Sequence, residues 1–268
     1  MGRWRLRLGL AGKSALVCGS SSGIGLAVAK EMASEGVNII MCSRDWGRIA
    51  KASEFVKNYA QGSKIIPVRA DLSKLDDIRK LVEMAGEQFD SLDILFSNTG
   101  GPAASRFLDV TDKMWLDYFE SLFMSVVRLC RSCVPLMTDK GGVIVNLLSR
   151  SAKESLPDLV ISNSLRAALA ALSKTLSSEF AQYGIRVNNV IPGMIDTQRQ
   201  RSLIRKRAES FNVDEMTLQT KMTEEIPLKR LGEADEVASM VVFLCSQRAN
   251  YITGSSFFVD GGATRSNI

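Results

Sequence analysis

The sequence has 268 residues and no histidine among them. Histidine is the commonest general base in enzymes and the commonest metal ligand in proteins. Its absence excludes a Ser-His-Asp hydrolase and the usual zinc sites, so we expect no metal centre.

Long apolar runs are missing as well. No stretch approaches the roughly 20 consecutive apolar residues that a membrane-spanning helix needs. The first residues, MGRWRLRLGLAGK, are basic, but they lack the long apolar segment and the small-residue cleavage site of a secretory signal. We therefore expect a cytoplasmic protein that does not act at a membrane.

The cysteines and the net charge exclude further functions. The five cysteines are scattered through apolar segments, which is typical of reduced, buried thiols. Cys130 and Cys133 form a single CxxC pattern, and without a second pair we interpret them as small residues on a helix face. The net charge of +5 suits an anionic cofactor or substrate but is too diffuse to indicate nucleic-acid binding.

The chain does contain a regular alternation of short β-branched runs and longer helical patterns. A strand over residues 14–19 is followed by a helix that ends at Gly36, and the alternation continues to a last strand before residue 262. We predict one long helix over residues 112–137. The alternation predicts an α/β protein, residues 1–268 forming a single domain, with a doubly wound parallel sheet that binds ligands at the carboxyl ends of its strands.

The first strand leads into a glycine-rich turn. Gly19, Gly23 and Gly25 are spaced as G-x-x-x-G-x-G, and a helical pattern follows. A glycine turn in this context lets the backbone approach a pyrophosphate, and the helix N-terminus offers free N–H groups. The turn therefore predicts a dinucleotide site.

Several motifs together resemble the short-chain dehydrogenase/reductase family. The glycine turn is similar to the family's T-G-x-x-x-G-I-G, with Cys18 in place of the threonine. YGIRVNNVIPGMIDT (residues 183–197) is close to the family's Y-G-I-R-V-N-x-V-x-P-G-x-I-x-T, and SNTGG (residues 97–101) resembles its N-N-A-G. The resemblance covers the chain after residue 12. It implies a Rossmann-type oxidoreductase of the 3-oxoacyl-carrier-protein-reductase type that acts on a small-molecule carbonyl or alcohol.

The end of the second strand bears on the choice between NAD and NADP. A carboxylate there would bind the ribose 2′-hydroxyl of NAD and repel the 2′-phosphate of NADP. The position is Ser43, followed by Arg44, and a hydroxyl beside a guanidinium suits a phosphate. Asp45 comes one residue later, at a helix start, where it can act as an N-cap. We predict NADP, with NAD as the alternative.

These motifs and the resemblance together predict the cofactor contacts, with Asp71 and Leu72 at the adenine. The predicted contacts are Gly19, Ser21, Ser22, Gly23, Ile24, Gly25, Ser43, Arg44, Asp71, Leu72, Asn98, Gly100, Arg166, Pro192, Gly193, Ile195 and Thr197.

The resemblance also assigns the catalytic positions. In the family a Ser polarises the substrate carbonyl, a later Tyr transfers the proton, and a Lys one helical turn beyond binds ribose and lowers the pKa of the phenol. This sequence has Ser149 at the first position, Ser162 at the second and Arg166 at the third. The family's Asn on the preceding helix corresponds to Leu122. No tyrosine lies between Ser149 and Arg166, so a shift of register does not restore the pattern.

These replacements change the acid–base chemistry. An aliphatic hydroxyl is a far weaker acid than a phenol, so Ser162 is a poor direct proton donor. An arginine stays protonated where a lysine can relay a proton, but Arg166 still supplies a fixed cation for ribose hydroxyls or a developing oxyanion. The other candidate proton donors are Lys153, Glu154, Asp158 and Tyr118.

Two functions therefore stay open. The first is an NADP-dependent oxidoreductase that reduces a carbonyl or oxidises an alcohol through an atypical proton relay, with Ser149, Ser162 and Arg166 as catalytic residues. The alternative is a catalytically inactive nucleotide-binding sensor or scaffold on the same fold, because a fold does not determine a function.

The polar insert after residue 196 and two long helices carry the remaining expectations. In the family the insert, around residues 197–226, forms a mobile lid over the substrate. It is either a solvated basic helix face or a site for an anionic substrate group through Arg199, Arg201 or Arg205. The apolar stripes of residues 111–135 and 162–182, with the resemblance, imply a homotetramer or a homodimer.

Overall fold

A computed structural model describes residues 7–266, except for the side chain of residue 210. Within that range the short β-branched and apolar runs form strands. They are β1 (Ser14–Cys18), β2 (Asn38–Ser43), β3 (Ile65–Arg69), β4 (Ile94–Ser97), β5 (Gly142–Leu147), β6 (Ile185–Pro192) and β7 (Ser256–Val259).

The strands form one parallel sheet in the order β3-β2-β1-β4-β5-β6-β7. The direction of the order reverses between β1 and β4, and the crevice at such a switch point is where open α/β sheets bind ligands. The topology confirms the predicted α/β fold with a doubly wound, Rossmann-type parallel sheet.

The helices cover both faces of this sheet. They are α1 (Gly23–Ser34), α2 (Trp46–Lys57), α3 (Leu75–Gln88), α4 (Asp112–Tyr118), α5 (Ser125–Cys133), α6 (Val160–Glu179), α7 (Gln198–Phe211), α8 (Glu215–Glu224) and α9 (Ala234–Cys245). Buried side chains of α1, α2 and α9 pack in one cluster, and those of α3, α5 and α6 pack in another on the opposite face.

The central strands of the sheet are buried on both faces. Along β1, Ala15 and Val17 point into the first cluster, whereas Leu16 and Cys18 point into the second. Full burial of a Leu, Ile or Phe side chain stabilises a fold by about 1.5–3 kcal/mol. The loops at the carboxyl ends of the strands therefore start from fixed positions.

The long helix predicted over residues 112–137 is present, but it is not α-helical throughout. α4 ends at Tyr118, a π-helical segment follows over Phe119–Met124, and α5 begins directly after it. A π segment inserts an extra residue into a turn and often lies at a functional site. Leu122, inside this segment, packs in a small buried cluster with Ile161 and Leu165 of α6.

The polar insert folds as two helices. Asn212, in the left-handed conformation with φ 50°, ends α7, and the Asp214 side chain caps α8 by accepting a hydrogen bond from the Thr217 N–H. Ile204 and Ala208 are the buried side of α7. The insert therefore consists of two regular helices, and α7 packs against the protein through a few buried apolar side chains.

Among the helices of residues 7–266, none has the length and apolar character to cross a lipid bilayer. All five cysteines are buried free thiols. Burial raises the pKa of Cys130 to about 12 and also raises that of Cys133, so neither thiol on α5 forms a reactive thiolate near neutral pH.

Candidate active site

The glycine turn after β1 is shaped by close backbone contacts. Gly19 and Gly23 have φ values of 60° and 56°, which favour glycine. A Cβ on Gly25 would lie 2.2 Å from the carbonyl oxygen of Gly19, so only glycine fits there. The Ser22 side chain accepts no hydrogen bond from the first turn of α1, which leaves those N–H groups available to an anion.

Asn98, the residue after β4, fixes the turn from the neighbouring strand. Its side-chain Nδ2 donates to the Gly19 carbonyl at 3.2 Å, and a Cβ on Gly19 would lie 2.7 Å from the Asn98 carbonyl oxygen. The structure therefore places Asn98 under the turn, where it positions the glycine backbone.

The end of β2 has no free carboxylate for a ribose hydroxyl. The Asp45 side chain caps α2 by accepting the Arg48 N–H at 2.9 Å, which confirms its interpretation as an N-cap. The Ser43 hydroxyl donates to the Asp45 carbonyl at 3.0 Å, and Arg44 is exposed. Arg48, which no sequence motif singled out, donates from Nη2 to the Ser22 hydroxyl at 3.3 Å. The spacing of four residues between Arg44 and Arg48 is the sequence feature that could have indicated a second arginine near the end of β2.

Asp71 and Leu72 follow β3 at the same edge of the sheet. Partial burial acts to raise the pKa of Asp71, but hydrogen bonds from Ser73 and the charge of Arg44 lower it below its ordinary value. The carboxylate is thus ionised and held by its own loop. Leu72 packs against the core cluster beneath.

The serine positions meet through a residue that the sequence analysis did not single out. Ser149 follows β5, is partly exposed, and accepts a hydrogen bond from the Ser151 N–H at 3.3 Å. The Ser151 and Ser162 hydroxyls lie 2.8 Å apart, and both residues are buried. Ser162 is therefore held by Ser151 inside the protein. Nothing in the Ser-rich pattern distinguishes Ser151 from its neighbours.

Arg166 joins the carboxyl ends of β4 and β5. Its Nη1 donates to the Leu147 carbonyl at 2.8 Å, and its Nη2 donates to the Thr99 and Gly100 carbonyls at 3.3 and 2.9 Å. The side chain is 5% exposed, and its Nε has no partner. Burial, with the nearby charge of Arg199, lowers the pKa of Arg166 to about 10, so it remains a cation at neutral pH.

The position of the family's Asn offers no polar group. Leu122 is 2% exposed and packs against Ile161 and Leu165. A leucine neither donates nor accepts a hydrogen bond, so a water relay through this position has no side-chain partner here.

The alternative proton donors differ in their partners. Glu154 forms an ion pair with Arg150, and Asp158 forms one with Arg106 at 3.0 Å. The Tyr118 hydroxyl accepts a hydrogen bond from the Ala103 N–H at 3.3 Å, which leaves its own proton available to donate. Glu154 and Asp158 are thus carboxylates that pair with arginines, whereas Tyr118 is a neutral phenol that can donate its proton.

The insert lies over the switch point. Thr197 caps α7 by accepting the Gln200 N–H at 3.2 Å, and its methyl carbon would lie 3.3 Å from a Cβ on Gly23. Ile195 is buried and bridges to Gly232. Farther along, the Arg199 guanidinium reaches the loop after β4 and donates to the Pro102 carbonyl at 3.5 Å. The start of the insert thus contacts the glycine turn at one end of the crevice and the loop after β4 at the other.

Pro192 and Gly193 end β6 at the same edge. A Cβ on Gly193 would lie 2.7 Å from the Asp260 Cα, so the chain after β6 runs tightly against the chain after β7. The predicted cofactor contacts therefore gather along the carboxyl ends of the strands, although they come from distant parts of the sequence.

Comparison with known proteins gives a consistent result. A family model described as Enoyl-(Acyl carrier protein) reductase matches residues 19–264. Dehydrogenase/reductase SDR family member 4 of Oryctolagus cuniculus is 32% identical over 256 residues, which cover 95% of this chain and 94% of that protein. The 3-oxoacyl-[acyl-carrier-protein] reductase of Staphylococcus epidermidis is 31% identical over 252 residues, 93% of this chain and 98% of that protein.

A solved structure is similar over almost the whole length. L-sorbose reductase from Gluconobacter frateurii, complexed with NADPH and L-sorbose, superposes with a TM-score of 0.93 at 35% sequence identity. The alignment covers 97% of this chain and 100% of that chain. The two proteins are therefore similar in sequence as well as in fold.

Proposed function

The chain belongs to the short-chain dehydrogenase/reductase family, and on that premise we propose that it is an NADP-dependent oxidoreductase with an atypical proton relay. It reduces a carbonyl or oxidises an alcohol by hydride transfer. The observation that carries the proposal is the convergence of the glycine turn, the partly exposed Ser149 and the Arg166 cation on one crevice.

The residues at the crevice fit a dinucleotide. The backbone at Gly19 and Gly25 packs too closely against Asn98 and the turn itself for any Cβ, which fits the close packing of a dinucleotide-binding glycine turn. Arg166 has five N–H donors, of which three are bound to carbonyls, so two remain for ribose hydroxyls. One of them is on the buried Nε without a partner. When bound, NADPH supplies the hydride.

In the proposed mechanism the chain's own groups act on the oxygen of the substrate. The Ser149 hydroxyl, fixed at the end of β5, donates a hydrogen bond to the carbonyl oxygen. The Arg166 cation stabilises the negative charge that develops there, since a fixed charge in a poorly hydrated site needs no reorganisation. Ser162 supports the site through Ser151 and does not donate the proton itself, which comes from water or from Tyr118.

A second candidate function is a nucleotide-binding sensor or scaffold without catalysis. It is favoured by the apolar Leu122 and by the engagement of Ser162 with Ser151. This function predicts tight NADP(H) binding and no hydride transfer.

Turnover of NADPH with a panel of ketones, aldehydes, oxo acids and 3-oxoacyl thioesters separates the two functions. We expect oxidation of NADPH with at least one compound, and we expect Ser149→Ala to lower kcat/KM by about 100-fold because an oxygen-directed donor is lost. Ser164→Ala is the matched control, since Ser164 is exposed on α6 and bonds only a backbone carbonyl. NADPH binding without turnover on any compound, unchanged by Ser149→Ala, supports the second function and contradicts the first.

The preference for NADP rests on Arg44, with Arg48 beside it. Arg44→Ala is expected to weaken NADP⁺ binding by about 10–100-fold, because a charge-assisted hydrogen bond to the 2′-phosphate is lost, and to leave NAD⁺ binding unchanged. Titration calorimetry with both nucleotides measures this. Arg79→Ala, which removes an exposed arginine of α3 paired with Asp76, is the control. Equal losses for NAD⁺ and NADP⁺ would show that Arg44 does not read the phosphate.

We further propose that residues 197–226 act as the substrate lid. Support comes from Thr197 against the glycine turn and from Arg199 against the loop after β4. Hydrogen exchange of the α7 amides measures this. Slower exchange after addition of NADP⁺ and substrate would support a closing lid, whereas unchanged exchange would oppose it.

A homodimer or homotetramer is the proposed assembly. α5 and α6 present a shared apolar groove on the outer surface, and Val127, Val134, Leu172, Leu176, Phe180 and Tyr183 line it. A second copy of this chain suits the groove, because it can bury the same surface on both partners. A single-chain mass in light scattering at micromolar concentration would contradict the assembly.

A cytoplasmic location is also proposed. All five cysteines are free, which suits a reducing compartment. Recovery of the native protein only in a secreted or membrane fraction of its cells would contradict this location.

A further inference from the structure

Two arginines approach the loop after β4 from opposite elements. Arg166 of α6 donates to the Gly100 carbonyl at 2.9 Å, and Arg199 of α7 lies so close that its Nη2 would be 2.7 Å from a Cβ on Gly101. We call Arg166 and Arg199 the arginine pair. Their mutual repulsion is evident in Arg166, whose pKa is lowered by burial and further by the charge of Arg199.

The arginine pair has no carboxylate partner among the described residues. The hydrogen bonds of both side chains go to backbone carbonyls, and the one from Arg199 to Pro102 is long at 3.5 Å. Other arginines of the lid differ in this respect. Arg201 binds Asp196 through two hydrogen bonds of 2.7 Å, and Arg205 binds Glu215 at 3.1 Å.

Two like charges this close, one of them buried, are costly unless an anion joins them. The Arg199 side chain as a whole is exposed, but its guanidinium is partly buried against the loop, and this burial lowers its pKa. The Tyr118 hydroxyl, close enough to Arg199 to oppose that shift, adds a neutral donor. The hydroxyl of Thr99 also lacks a partner at this place.

In the proposed function the phosphates of a dinucleotide have other partners. The first turn of α1 is the proposed site of the pyrophosphate, and Arg44 and Arg48 after β2 are the proposed partners of the 2′-phosphate. The arginine pair lies instead at the carboxyl ends of β4 and β5. Arg166 bonds the Leu147 carbonyl, two residues before Ser149, and Arg199 reaches the loop after β4. An anion held there would belong to the molecule whose carbonyl Ser149 is proposed to bind.

We infer that Arg199 binds a carboxylate of the substrate, so that the natural substrate is an oxo acid or a hydroxy acid. This inference rests on the proposed oxidoreductase site and specifies its substrate class. Arg199 reaches the anion as a planar fork with two parallel N–H groups, a geometry that matches a carboxylate. Arg166 adds its charge while it stays fixed to the strand ends.

Binding of small carboxylates to the preformed NADP⁺ complex tests the inference without requiring turnover. The probes are oxamate, malonate and benzoate, and neutral oxamide is the uncharged control, all measured by titration calorimetry. We expect at least one carboxylate to bind in preference to oxamide. Arg199→Gln is expected to weaken that binding by about 10–100-fold and to change NADP⁺ affinity by less than about twofold.

The matched control is Arg201→Gln, which removes an exposed lid arginine paired with Asp196 and should leave carboxylate binding unchanged. Equal binding of oxamide, absence of binding by all three carboxylates, or an equal effect of both substitutions would overturn the inference. A loss of NADP⁺ affinity in Arg199→Gln with unchanged carboxylate binding would also overturn it, because Arg199 would then serve a cofactor phosphate. Failure of NADP⁺ itself to bind the unmodified protein would contradict the proposed function, so the two failures are distinguishable.

Discussion

Replacing Arg166 by methionine is expected to lower kcat/KM for NADPH-dependent reduction by about 10²–10³-fold. Methionine has a similar length but no charge and no N–H donors. The substitution removes the cation beside the substrate oxygen and the two donors that remain for ribose. Steady-state rates with the best substrate of the carbonyl panel measure the effect.

The same substitution should also destabilise the fold. The Leu147 and Thr99 carbonyls lose their Arg166 donors at the ends of β5 and β4, and a buried acceptor without a donor costs about 1–3 kcal/mol. Denaturant unfolding of the apoprotein gives this free energy. Arg166→Lys is the control, because it keeps the charge and three donors on a shorter reach. We expect it to retain NADPH binding and part of the activity.

A methionine variant with the rate of the unmodified protein would show that Arg166 has no role in the reaction. Loss of stability with an unchanged rate would assign the residue to the sheet alone. Only a combined loss, partly rescued by lysine, agrees with the proposed double role.

Gly25→Ala is expected to weaken NADP⁺ binding by about 100-fold and to destabilise the protein by about 1–3 kcal/mol. The added methyl group would lie 2.2 Å from the Gly19 carbonyl oxygen and 2.9 Å from the Asn98 amide nitrogen, so the turn and β4 must separate. The N–H groups at the start of α1 then move away from the pyrophosphate. Fluorescence titration with NADP⁺ and denaturant unfolding measure the two effects.

Gly86→Ala is a matched control on another helix. A Cβ on Gly86 in α3 would meet the Leu136 Cδ2 at 3.6 Å, an ordinary contact. Alanine has the higher helix propensity, so this variant should be as stable as the parent or more stable by about 0.5–1 kcal/mol. If Gly25→Ala bound NADP⁺ as tightly as Gly86→Ala does, the glycine turn would not be the pyrophosphate site.

The sheet was predictable because its central strands are buried on both faces. A strand such as β1 or β4 then has a largely apolar sequence, and the glycines and charged helices on either side mark its ends. Asp45 was predictable as an N-cap for a similar local reason, since a carboxylate directly before a helical pattern satisfies its first N–H groups.

Other features leave no local signal. The π segment around Leu122 adds one residue to a helical turn. The apolar pattern of the helix continues through this segment, so the sequence does not mark it. Ser151 is one serine among several, and only the fold brings its hydroxyl to Ser162. The burial of Arg166 depends on carbonyls of residues 99, 100 and 147, which the sequence separates by many positions.

The burial of Ser162 limits which side chains fit at this position. A tyrosine at position 162 would need space that Ser151 and the cluster of Leu122, Ile161 and Leu165 now fill, and overpacking of this kind is destabilising. A lysine at position 166 cannot reach three carbonyls with the fork geometry of arginine. Single substitutions of Ser162 by tyrosine or of Arg166 by lysine are therefore expected to lower the stability of the fold.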